Sequence, residues 1–185
     1  FFQAEDGIRH LVRSRGLGDV YKRQIKGLMQ HSITKLLGKY VDEGELEASL
    51  ESMGLDDQLI KDKTYFLIHF EGLLVGCGGW SNRKTLFGGN HTPNRSNDFL
   101  NPNEDAAKIR AMYTHPDWSR KGVGTLILEI AEKEASISGF KRCELMATLS
   151  GIHLYKARGY KIDDEIIYKS KKGNSVKMFK MTKHL

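Results

Sequence analysis

Cysteine is scarce in this chain. Only Cys77 and Cys143 occur in 185 residues, far apart, in apolar runs and with no CxxC spacing. That argues against a disulfide framework and a zinc site, and for reduced core thiols in a cytoplasmic protein. Proline is equally rare, at three residues, and a hydrophobic fraction of 39% is too high for a disordered chain. No apolar run approaches the roughly 20 residues of a membrane helix, and no secretory signal pattern stands at the start. The net charge of +6 suits an anionic ligand, but no dense basic stripe is present, so neither nucleic acid nor membrane is expected as a partner. The seven histidines have no ligand spacing, so no metal is expected. The length allows one domain with a full core.

The first twenty-four residues stand apart. "QAEDGIR" and "SRGLGDVYKRQ" resemble the conceptual translation of two sequencing-library adapters in their expected order. Residues 1–24 are therefore read as non-native, which lowers the net charge to +4 and leaves 25–185 as the domain. On this reading the natural start is missing. The first strand of the sheet is then expected to be absent or poorly formed, leaving an unpaired edge.

From Ile25 onward, "IKGLMQHSITKLLGKY" carries apolar residues at helical spacing, and "DEGELEASLESM" reads as a second helix with an acidic start. "KTYFLIHFEG" and "LLVGCGGW" form a strand hairpin turned by "EG". Residues 82–105 are polar with Gly88, Gly89, Pro93 and Pro102, a long surface loop of the kind that carries binding functions. "AAKIRAMYTHP" is a strand, "VGTLILEIAEKEASISG" a helix, "KRCELMAT" a strand and "SGIHLYKARGY" a short helix; "DEIIYKS" and "SVKMFKMTKHL" close the chain as a hairpin. Strand, helix, strand in the middle predicts a parallel pair within a mixed sheet.

The stretch "WSRKGVGTLIL" places a glycine-rich turn between that strand and the long helix. Free backbone N–H groups and the helix dipole make such a turn an anion site. Gly122 and Gly124 allow close approach, while Arg120 and Lys121 add charge. No G-x-x-x-x-G-K-[ST] string exists, and the dinucleotide pattern would need glycine where Ile127 stands. Taken alone, the turn is better explained as a plain helix start with solvated basic residues.

Three motifs in order, "MYTHPDWSRKGVGTLIL", "HLYKARGYK" and "KMFKMTKHL", resemble the GNAT superfamily of N-acetyltransferases over essentially all of 25–185. The resemblance implies an α/β fold (α+β in some schemes): a mixed, mostly antiparallel sheet with a central parallel strand pair and helices on both faces. It implies acetyl-CoA as cosubstrate and a small-molecule or peptide amine as acceptor, in a monomer or homodimer. It aligns Ser119, Arg120, Lys121, Gly122, Val123, Gly124 and Thr125 with the pyrophosphate turn, Ser119 standing where the family has Gln or Arg. Met112, Tyr113 and Thr114 match the strand segment that holds acetyl-CoA through backbone groups, one N–H polarising the thioester carbonyl. Tyr155 matches the residue that protonates the departing thiolate. Thr148 and Gly151 depart from the common Asn and Ala. No general base is assigned: "AAKIRAMYT" lacks a carboxylate, and the nearby candidates Glu144 and His153 are better read as a surface salt-bridge residue and a solvated histidine. The expected activity is acetyl transfer by direct attack, with a non-catalytic acyl-CoA-binding module as the alternative. Trp80 and Trp118 are expected to pack.

Overall fold

The computed structural model describes residues 10–13, 18–93 and 95–185, and of 10–13 the backbone only. Within the segment set aside as non-native, 1–9 and 14–17, including Gly16 and Leu17 of the first glycine pair, lie outside the described residues.

The chain forms one seven-stranded sheet in the order β1-β2-β3-β4-β5-β7-β6. The strands are β1 (His10–Arg13), β2 (Tyr65–Phe70), β3 (Leu73–Ser81), β4 (Ala107–Thr114), β5 (Arg142–Ala147), β6 (Lys161–Lys169) and β7 (Ser175–His184). Between β1 and β2 lie helices α1 (Asp19–Leu36), α2 (Glu43–Ser52) and α3 (Asp57–Lys61); α4 (Val123–Ile137) joins β4 to β5, and α5 (Ile152–Ala157) precedes β6. β4 and β5 are parallel, and every other described pairing is antiparallel. This is the expected mixed α/β architecture.

Local chemistry accounts for the element ends. Asp42 and Glu45 form a reciprocal capping box that starts α2. Glu71 (φ 46°) and Gly72 (φ 82°) turn β2 into β3, both in the left-handed conformation that a two-residue hairpin turn requires. Gly139 (φ 94°) follows α4 in the left-handed conformation that closes helices.

Two expectations change. The edge beside β2 is not bare: β1 pairs antiparallel with it, His10 opposite His69 and Arg13 opposite Phe66. α1 begins at Asp19, six residues before the expected start, yet its buried face comprises Ile25, Leu28, Met29, Ser32 and Ile33. The amphipathic pattern seen from Ile25 is the part that packs; the turn before it is helical and exposed apart from half-buried Lys22. The short helix α3 carried no periodic signal.

The core lies on both faces of the sheet. α1 and α3 close one layer, with Ile25, Leu59, Leu67, Cys77 and Tyr113 inside. α4 and α5 close the other, with Ile109, Leu128, Ala131, Cys143, Leu145 and Tyr155 inside. Trp80 packs edge-on against Phe140 at 6.0 Å, and Trp118 against Phe70 at 4.5 Å. Both cysteines are free and buried.

Candidate active site

The parallel pair is short. β4 meets β5 only at Ala107–Cys143 and Lys108–Glu144, so β4 from Ile109 onward leaves its neighbour and a gap opens in the middle of the sheet. On the other side β4 follows β3 through Arg110 opposite Gly79 and resumes at Tyr113 opposite Cys77. Between them Ala111 takes φ 53°, a left-handed bulge inside a strand.

A cavity of about 90 Å³ lies against this stretch. Ile109, Arg110, Ala111, Met112 and Tyr113 of β4 form one wall, and Tyr155 of α5 and Thr148 face them. Met53, Phe87, Met146 and Met178 add an apolar lining. Of the predicted residues, the structure therefore brings Met112, Tyr113 and Tyr155 into one cavity. Thr114 lies beyond the lining, next to the glycine turn: a Cβ on Gly124 would stand 3.7 Å from its Oγ1 and 2.9 Å from Leu154 Cδ2.

That turn is built as an open helix start. A short 3₁₀ turn, Pro116–Trp118, ends at Ser119, and Gly122 (φ 82°) caps α4 without any side-chain cap bond. The first α4 backbone bond runs from Leu126 N to Gly122 O, so the preceding N–H groups have no partner within the helix. Arg120 also takes a left-handed φ of 65°, and both Arg120 and Lys121 are exposed. Lys121 Nζ lies 4.9 Å from the Trp118 ring centroid. Ser119 and Thr125 are half-buried, while Val123 is buried and packs into the space left by Gly76, where a Cβ would stand 2.4 Å from its Cγ1.

Tyr155 is buried, its ring 5.9 Å from that of Tyr160. Burial raises its phenol pKa well above the ordinary value. The glycine at 151 acquires a reason here: a Cβ there would lie 2.8 Å from Tyr155 Cε2. Of the two base candidates, neither lines the cavity. Glu144 is buried between Lys108 and Lys180, the latter at 3.2 Å, and His153 is exposed. Among the described residues the cavity lining holds no carboxylate and no imidazole.

Sequence reasoning missed the charged floor. Asp56, just before α3, is fully buried and pairs with Arg95 at 2.7 Å and Arg110 at 2.9 Å. Burial lowers the Arg110 pKa to about 10, opposed by Asp56. Both arginines donate to the Gly88 carbonyl, so the loop 82–105 is tied down over the cavity rather than free. Arg83 bridges to Asp62 at 2.6 Å on the loop's first limb. Nothing in the local pattern of "GLDDQ" marks which of its two aspartates is buried, because their partners are remote in sequence.

The family model for the acetyltransferase (GNAT) domain matches residues 61–162, from α3 through the open turn and Tyr155. The chain belongs to the GNAT acetyltransferase family. Solved GNAT structures resemble it throughout, at identities that show the fold alone. A GCN5-related N-acetyltransferase from Rhodopseudomonas palustris matches with a TM-score of 0.68 and 20% identity over 95% of each chain. The PaiA N-acetyltransferase from Thermoplasma acidophilum, solved with coenzyme A, gives 0.61 and 15%, over 95% of this chain and 98% of that one. YncA from Salmonella typhimurium, solved with its cofactor acetyl-CoA, gives 0.57 and 15%, over 90% and 87%. No curated protein sequence matches this GNAT chain. Among its described residues no helix is long and apolar enough to cross a membrane, and no group of three His, Cys, Asp or Glu could hold a metal.

Proposed function

We propose that this chain is an acetyl-CoA-dependent N-acetyltransferase that moves the acetyl group directly to a primary amine of a small-molecule or peptide acceptor. One observation carries the reading. Where β4 leaves β5, its residues 112–113 share a cavity with Tyr155, and the same strand leads into an uncapped helix start.

The chemistry follows from those parts. The Lys121 N–H donates to the Trp118 carbonyl at 3.4 Å; the other N–H groups of 120–125, with the α4 dipole behind them, suit the pyrophosphate of acetyl-CoA, and Arg120 and Lys121 add charge at the rim. Ser119 offers only a short side chain, so the turn relies on its backbone. The unpaired edge of β4 at Met112, Tyr113 and Thr114 suits the amide-bearing pantetheine arm, as an added strand would. Acetyl-CoA supplies an activated thioester. A backbone N–H of this strand steadies the oxyanion as the amine nitrogen attacks the carbonyl carbon. When the C–S bond breaks, the Tyr155 hydroxyl gives its proton to the thiolate, and the proton lost by the amine restores it through water. Burial keeps that phenol protonated at neutral pH.

The cavity's lack of a carboxylate or imidazole favours one alternative, a module that binds acyl-CoA without turnover. Thiol release from acetyl-CoA across a panel of primary amines separates the two, run on the parent and Tyr155→Phe. Turnover with at least one amine, lost in the variant, supports the enzyme. Tight coenzyme A binding with no thiol release from any amine supports the module.

A further inference from the structure

Ala111 costs energy where it stands. A non-glycine residue in the left-handed region is strained and persists only when its surroundings over-determine it. Opposite the bulge, Gly78 leaves room for it: a Cβ there would stand 2.5 Å from Met112 Sδ and 3.2 Å from Met112 Cα. One contact to the strained residue comes from two strands away: Tyr65 of β2 donates its hydroxyl to the Ala111 carbonyl at 3.1 Å. Tyr65 pairs with Gly79 of β3, which pairs with Arg110 of β4, so the tyrosine reaches past a position with no side chain.

That bond fixes more than one atom. The Ala111 carbonyl and the Met112 N–H belong to one peptide unit, and no described peptide bond is cis. In a planar trans unit the two groups point in opposite directions, so a donor that holds the carbonyl also sets where the N–H points. Ala111 and Met112 fall between the β3 pairs, and both line the cavity. Tyr65 is buried and burial holds its phenol protonated, so the donor persists across pH.

We propose that Tyr65 is a positioning residue for acetyl transfer: by holding the Ala111 carbonyl it aims the Met112 N–H at the thioester carbonyl of acetyl-CoA. This rests on the acetyl-CoA reading above. Tyr65 does not touch the cofactor; it sets the direction of the group that does.

The test uses acetyl-CoA carrying a 13C-labelled thioester carbonyl, with the bound stretch read by infrared difference spectroscopy and affinity by calorimetry. In the parent, the stretch is expected to move to lower frequency on binding. Tyr65→Phe is expected to keep acetyl-CoA affinity within about threefold while the stretch returns to its solution value. If Tyr65→Phe does not fold, Ala111→Gly is added, since glycine carries the left-handed φ without strain. The folded double variant is then expected to bind with an unshifted stretch. A parental stretch in either variant overturns the proposal, because the hydroxyl would then hold the bulge without directing the N–H. A parent that binds acetyl-CoA with an unshifted carbonyl also overturns it and leaves the acetyl-CoA reading standing. A parent that does not bind acetyl-CoA overturns that reading, and this one with it.

Discussion

At the scale of single residues, Tyr155 is set apart by where its proton sits. An exposed phenol begins to ionise near pH 10, and its donor function fades there. Tyr155 is buried in the face of the sheet that α5 covers, and burial raises its pKa well above 10.0. Acetyl transfer should therefore rise with pH as the acceptor amine loses its proton, and hold to pH 10 with no falling limb from this residue. Tyr155→Phe should lower kcat by about 100-fold and leave coenzyme A affinity unchanged, measured by thiol release and calorimetry. A falling limb near pH 9 in the parent that vanishes in the variant would contradict the buried donor. Gly151 belongs to the same argument. The ring of Tyr155 crowds the space its Cβ would take, at 2.8 Å from Cε2, so Gly151→Ala should force the ring to shift.

At the scale of elements, the loop between β3 and β4 is held by charge. Asp56 joins α3 to the loop through Arg95 and to β4 through Arg110, and the two arginines cross-link it to the Gly88 carbonyl. Asp56→Ala leaves the Arg110 guanidinium buried without its counter-ion. Breaking such a pair costs about 3–5 kcal/mol, so urea unfolding should show a loss of that order, with new protease cuts within 83–99 before global unfolding. Helix α1 gives a second prediction. Its exposed first turn precedes Ile25, and its ion pair, Lys22 to Asp57 at 2.9 Å, is about one-third exposed on both sides. Solvent screens a pair this exposed, so it adds little to stability. A chain starting at Ile25 should keep coenzyme A affinity, and its thermal midpoint should fall by no more than about 8 °C with the β1 pairing also lost. Loss of folding would show that residues 1–24 are integral to the domain.

At the scale of the whole molecule, what could be read from the sequence was what repeats or punctuates locally. Periodicity located the packed face of α1 from Ile25 and the apolar face of α4, and glycine marked the turn before α4. The parallel pair followed from strand, helix, strand. The bulge at Ala111, the Tyr65 contact and the Asp56 cluster were not legible, because each depends on partners brought together by the sheet rather than by spacing. The same assembly buries protonatable groups on both faces. Tyr65, Cys77 and Tyr113 lie in one layer, and Cys143, Tyr155 and Tyr160 in the other. Burial pushes both thiols from an ordinary value of 9.0 up to about 12, and lifts all four phenols. The folded chain thus keeps protons that the unfolded chain releases, so this stabilisation is complete below pH 9 and lost as pH rises toward 12. Each thiol alone contributes a slope of about 1.4 kcal/mol per pH unit in that range. Lys108, which burial lowers from 10.5 to about 8, and Arg110, lowered to about 10, oppose this with slopes of the other sign. The two thiols and four phenols outnumber them, so the thermal midpoint should fall between about pH 9.5 and 11. Cys77→Ala and Cys143→Ala should each make that fall shallower relative to its own midpoint at pH 7. A midpoint unchanged to pH 11 would mean that these groups release their protons in the folded state as readily as in the unfolded one.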